Sequence, residues 1–389
     1  MKKKYLITRF IIILGTLVLS RINISNNKDL AVYIENELNS SIPASNENLY
    51  VNKIDCDNNV NAYWDNDKWG LFISNFSKKT KCNLYFIHDT EKPYWQIEEV
   101  ERTSVLSTDI FTIKISGNDS LSKVTSSLDT SSLSFYVNDT LQSPIKVELT
   151  KSEELNQKIT YSLKVHMVGG EGNLKLKINS NTLTDNETNQ NDEITLNTGI
   201  TVNKNPAKIM HFYDSSFTSA SYQLNFYKNL LDNYYKNVTH NSNPSLDELA
   251  LENYDLIFFN NGCWTVPTVA NYIFSLGINV FSVGNDSTSA LDIISTSITD
   301  SKVGNHKKVI NNGLTYYLSD LIAGGEDNLN LIKFVDEATV LYKNNTNNIE
   351  YDSLGYIKKN DKTWLHSQYI SNKYIIPIIQ FTLGELKWF

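Results

Sequence analysis

Cysteine, proline and glycine are all scarce in this 389-residue chain, at 3, 7 and 16 residues. So few prolines and glycines, beside abundant Asn, Ser and Thr, describe a polar but folded surface instead of a disordered tract. Positive charge is short as well: 35 Lys and Arg face 43 Asp and Glu, a balance of −8 that makes a poor partner for nucleic acid. No Gly-x-Gly-x-x-Gly fingerprint or P-loop is present, so dinucleotide and nucleoside triphosphate sites of those types have no support. No Gly-x-Ser-x-Gly elbow is present either. No cofactor and no metal is expected.

Long apolar runs are missing too. Near the start, Phe10–Ser20 is free of charge over 11 residues and follows Lys2, Lys3, Lys4 and Arg9. This is the outline of a secretory signal, and it is short for a membrane span of about 20 residues. Residues 1–20 are therefore read as a signal peptide or an N-terminal anchor, the only membrane-directed segment. Without its four basic residues the balance moves from −8 to −12. The expected location is secreted or on the outer face of the cell envelope. In that setting Cys56 and Cys82 are candidates for a disulfide, with two unpaired thiols as the other reading. The 25 intervening residues would close a loop worth about 3 kcal/mol.

What is present divides the remainder into three units. In 28–42, KDLAVYIENELNSSI, Leu30, Ile34 and Leu38 recur at four-residue spacing and predict a short amphipathic helix. LYVNKIDC, NAYWDNDKWGLFISNF and KCNLYFI then read as strands, giving a small β-rich module over 21–90. From 91 to 205 alternation has period two: Phe111, Ile113 and Ile115 share one face, as do Leu133, Phe135 and Val137, Ile145, Val147 and Leu149, Tyr161, Leu163 and Val165, and Leu174, Leu176 and Ile178. Each run buries one side. About seven strands in about 110 residues predict an immunoglobulin-like β-sandwich, similar to the bacterial Ig-like modules of surface proteins. Its polar loop Thr182–Ile194 contains Asp185, Asn186 and Asp192, oxygen donors whose irregular spacing favours a solvated loop over a calcium site.

At Pro206 strands begin to alternate with helices. KIMHFY, YDLIFFNNG and INVFSV are strands; SASYQLNFYKNLLDNYYKN and TVPTVANYIFSLG are helices, and TSALDIIS starts another. ATVLYKN, IEYDSLGYIKK and KTWLHSQ add strands before a closing helix or strand in NKYIIPIIQFTL. Residues 206–389 thus predict a flavodoxin-like α/β unit with a mostly parallel sheet, making the chain multidomain.

Ligands of such sheets sit beyond the carboxyl ends of the strands. The turns expected there hold His211, Tyr213 and Asp214; Asn260, Asn261, Cys263 and Trp264; and Gly284, Asn285, Asp286, Ser287 and Thr288. Any one of these can be a helix cap or a tight turn. Three polar turns on one edge point to a pocket rim.

YDLIFFNNG before a helix, LGINVFSVGNDST at a sharp corner and the later WLHSQ resemble the class I glutamine amidotransferase-like superfamily over 206–389. That resemblance implies a Gly-x-Cys-x-Gly corner and a His-x-Glu pair in active members. Here Gly284 matches the leading glycine, Asp286 falls at the nucleophile position with Ser287 and Thr288 after it, and His366-Ser367-Gln368 matches the pair with Gln368 for the acid. HKKVINNGLTYYL, from His306, is similar to the His-containing turn of relatives.

These departures have chemical consequences. A carboxylate lacks the thiolate's nucleophilicity, and Gln368 cannot hold an imidazolium as a carboxylate does. The expectation is a pseudoenzyme whose cleft binds a neutral polyhydroxylated or peptide ligand through Asp214, Asn261, Trp264, Asn285, Asp286, Ser287, His366 and Gln368. Expected partners are cell-wall or host glycans or surface proteins. Two catalytic alternatives stand beside this: Ser287 as nucleophile with His366 as base, a surface hydrolase of carbohydrate or peptide, or Cys263 meeting His366 or His211. A third reading is a structural element of a surface assembly.

Overall fold

The computed structural model describes residues 10–13, 16–19, 30–33, 49–56, 61–65, 70–74, 81–155, 157–213, 220–242, 251–259, 266–283, 299–308, 326–331, 333–346, 349–367 and 375–385. Strands dominate these segments, arranged in several sheets.

Before residue 90 the strands form two antiparallel sheets. One has the order Phe10–Ile13, Thr16–Leu19, Lys81–His88, Leu49–Cys56; the other runs Leu30–Tyr33, Gly70–Ser74, Asn61–Asp65. The apolar run of the first twenty residues is therefore paired here as two short strands. The expected helix at 28–42 is not formed over 30–33, which pair with Gly70–Ser74 as a strand. Val32 and Tyr33 suit a pleated surface, and the available partner overrides the four-residue spacing.

Two antiparallel-rich sheets follow and enclose one core. The first is ordered Lys146–Leu155, Lys158–His166, Ile110–Asn118, Tyr94–Val100. The second is ordered Thr140–Gln142, Leu133–Val137, Gly172–Ile178, Ile194–Asn203, Ser104–Leu106. Phe111, Ile113, Ile115, Leu163 and Val165 from one meet Phe135, Val137, Leu174, Leu176 and Ile178 from the other in a single buried cluster. Alternate positions face water, which is why period two is visible in the sequence. The loop expected at Thr182–Ile194 carries a short strand, Leu183–Asp185, paired with Val124–Ser126.

A nine-stranded mixed sheet occupies the rest. Five neighbouring strands run parallel, in the order Tyr235–Asn241, Asn205–Phe212, Leu256–Phe259, Asn279–Val283, Lys362–Ser367. Ile349–Lys359, Thr339–Thr346, Thr299–Lys308 and Glu326–Leu331 extend it antiparallel. Helices α1 (Ala220–Tyr234) and α3 (Ile375–Leu383) cover one face through Tyr227, Leu231, Ile375, Ile376 and Ile379, while α2 (Val266–Ser275) covers the other through Ala270 and Ile273. Helix α2 ends at Gly277, whose φ of 77° lets Ile278 N–H reach back to Ile273 O. The predicted helix SASYQLNFYKNLLDNYYKN stops at Tyr234, and Tyr235–Asn241 is the outermost parallel strand. The helix start expected at 288–295 lies outside the described residues.

Sandwich and α/β unit meet at the last turn of α1. Ser107 Oγ donates to Tyr234 O at 2.5 Å, Gly170 N to Asn233 O at 2.9 Å, and Tyr234 Oη to Met167 O at 3.0 Å. Met167 also joins the core beneath α1 and α3.

Candidate functional site

From Asn205–Phe212 the chain passes through α1 to the outer strand Tyr235–Asn241, then crosses to Leu256–Phe259 on the other side. That reversal is the kind of switch point beside which open parallel sheets leave a crevice. The parallel strands end at Phe212, Phe259, Val283 and Ser367. Asp214, Asn261, Cys263, Trp264, Asn285, Asp286, Ser287 and Gln368 follow these ends within a few residues and lie outside the described residues.

His366 is the predicted site residue that is described. Its ring is fully buried, with Nδ1 2.9 Å from Ser282 Oγ and Phe334 edge-on at 6.3 Å. Ser282 Oγ accepts the Trp364 indole N–H at 3.0 Å, which leaves it one proton and one lone pair for Nδ1, the His366 tautomer setting which is used. Burial pushes the His366 pKa down to about 3, which keeps the imidazole neutral at ordinary pH.

A second histidine site contains His211, expected in the turn after its strand but found buried within Asn205–Phe212, together with His240 and Asp232, which the sequence did not single out. Asp232 Oδ1 lies 3.1 Å from His240 Nε2, and His240 Nδ1 lies 2.9 Å from His211 Nδ1. Only one proton fits between two Nδ1 atoms. With Asp232 accepting the Nε2–H of His240, His240 Nδ1 accepts from His211, and His211 Nε2 is left as a bare lone pair. That Nε2 is buried and has no hydrogen-bond partner. Burial first, then the charges of His240 and Lys228, lower the His211 pKa to about 3. Its ring stacks on Phe258 at 5.1 Å and meets Tyr227 edge-on at 6.4 Å.

The two histidines occupy opposite faces of the sheet. His211 packs with Phe258 on the α1 side, whereas His366 follows Leu365 of that side by one residue and so points with Trp364 toward the α2 side. No reagent can be shared directly between them. His240, Asp232 and Ser282 were missed because His240 sits in an unrecognised polar strand and Ser282 is 84 residues from its partner.

No protein-family model matches the chain, and no curated protein matches it. Among solved structures, a ThuA-like protein from Parabacteroides merdae is similar at 11% identity and a TM-score of 0.31, covering 42% of this chain and 79% of that one. A glutamine amidotransferase from Thermotoga maritima is similar at 10% identity and a TM-score of 0.28, covering 46% of this chain and 83% of the other. Both are distant neighbours.

Proposed function

We propose that this chain is an exported, envelope-associated protein whose Ig-like sandwich carries an amidotransferase-like α/β unit used for recognition, without catalysis. Its partners are cell-wall or host glycans, or proteins of such surfaces. The observation that supports this reading is the state of His366: the histidine at the position of the family's His-x-Glu pair is neutral, fully buried and committed to Ser282. A histidine held that way serves packing, since a general base needs a pKa near the working pH and a path to the proton it takes.

The test is retention of the full chain on a glycan array and on isolated cell-wall material, with Trp264→Ala and Asp286→Ala as variants. Retention that falls about tenfold in both variants supports recognition at this edge. Absence of retention, or hydrolysis of an ester or peptide panel that disappears in Ser287→Ala with folding intact, overturns it in favour of the hydrolase.

A further inference from the structure

Three acidic side chains from distant parts of the sequence are buried together at one end of the sandwich. Asp89 follows the Lys81–His88 strand, Asp119 follows Ile110–Asn118, and Asp185 ends Leu183–Asp185. Their exposures are 3%, 7% and 5%, and one carboxylate oxygen from each lies within 4.8 Å of the others.

All the donors they find are neutral. Asp89 accepts from Glu91 N and from the Ser122 hydroxyl; Asp119 Oδ1 accepts from Leu121 N at 2.8 Å and Ser122 N at 2.7 Å; Asp185 accepts from Asn189 N at 2.8 Å and Asn189 Nδ2 at 2.9 Å. Asp119 Oδ2 has no hydrogen-bond partner although the residue is more than nine-tenths buried. Among the described residues, no lysine or arginine is ion-paired with any of the three. A buried carboxylate is ordinarily paired, protonated or bound to a metal. Lys92, the nearest cation in sequence to Asp89, pairs instead with the exposed Asp192 at 2.7 Å.

We propose that Asp89, Asp119 and Asp185 bind a calcium ion. Three carboxylate oxygens with no histidine or cysteine are a hard-cation donor set, and oxygens up to about 4.8 Å apart are spanned by an ion that takes ligands at 2.3–2.6 Å. Calcium also accepts an irregular set completed by water, where magnesium needs a near-ideal octahedron. The unpartnered Asp119 Oδ2 then gains a ligand, and three like charges gain a counter-ion. The spacing of Asp185, Asn186 and Asp192 favoured a solvated loop; the companions of Asp185 in this proposal are instead Asp89 and Asp119, which are distant in sequence. Bound there, the ion ties the strand leaving the small N-terminal module to two turns of the sandwich.

The experiment uses the full chain, stripped with chelator and desalted, then titrated with CaCl2 and in parallel with MgCl2, reading the melting temperature. Terbium luminescence excited through tryptophan is a second reading, because Trp95 pairs in register with Gly117, two residues from Asp119. The expected result is a calcium-dependent rise with a Kd on the order of 10⁻⁴ M, as in extracellular modules. Asp119→Asn and Asp185→Asn should each weaken calcium binding at least about tenfold while keeping the β-sheet circular dichroism, and Asp119→Asn should melt no lower than wild type in chelator. No response of the wild type up to about 10 mM calcium, or equal responses in wild type and both variants, overturns the site and leaves a shared proton between Asp89 and Asp119 as the account.

Discussion

Acidification should unfold the α/β unit through two histidines, and the size of the effect can be worked out. His211 and His366 are both fully buried, and both have pKa values held down to about 3. In the unfolded chain each returns to about 6.5. Between these values the unfolded state binds a proton that the folded state refuses. Their contribution is therefore complete above about pH 6.5 and is lost as pH falls toward 3. At pH 5 each histidine removes about 2 kcal/mol, and the two together about 4 kcal/mol, a large part of a usual stability of 5–15 kcal/mol. Urea unfolding at about pH 7.5 and about pH 5, followed by tryptophan fluorescence, measures this directly, because Trp364 is buried beside Ser282. Carboxylates add their own pH dependence, so the decisive quantity is the difference between wild type and variants. His366→Asn and His211→Phe should each shrink the loss between the two pH values by about 2 kcal/mol. If both variants lose as much as wild type, the histidines are not buried neutral and the reasoning fails.

Two further outcomes follow from single contacts. Ser282→Ala deprives both His366 Nδ1 and Trp364 Nε1 of their hydroxyl partner in a dry core, and should cost about 3 kcal/mol in urea unfolding; a cost under about 0.5 kcal/mol would mean that water replaces the hydroxyl. Cys56 and Cys82 are register partners on adjacent antiparallel strands, a separation compatible with a disulfide. Peptide mapping of exported protein without reductant should recover the 56–82 cross-link, and two free thiols there would exclude it.

How much of this was legible depends on how local the signal is. The two facing sheets were readable as strands because Phe111, Ile113 and Ile115, like Leu174, Leu176 and Ile178, announce a buried face within five residues, whereas Val147 and Leu149 are only partly buried and Ile145 packs on the other core. The Leu256–Phe259 and Asn279–Val283 strands were readable as short apolar runs, which is what strands covered on both faces must be. Tyr235–Asn241 was not, because an outermost strand tolerates Lys236, Asn237, Thr239 and His240 and continues directly from a helix. Leu30–Tyr33 misled in the opposite sense, its spacing suiting a helix while its partner strand lay 37 residues or more away. The histidine chain and the carboxylate cluster depend on contacts between segments far apart in sequence. His366 was found through its motif, yet its partner Ser282 carries no local mark.

The final turn of α1 gives its Asn233 and Tyr234 carbonyls to a glycine amide and a serine hydroxyl of the sandwich. The adjacent Gly169 sits at φ 76°, a conformation that strains a side chain, and an added Cβ would also stand 2.4 Å from Asn233 Nδ2 and displace it. A cut near residue 205 would therefore remove a splint as well as a neighbour, stranding acceptors that water must then reach. Met167 adds an apolar tie at the same place, its side chain lying in the core beneath α1 while its carbonyl takes the Tyr234 hydroxyl, so polar and apolar contacts between the two units coincide at one turn.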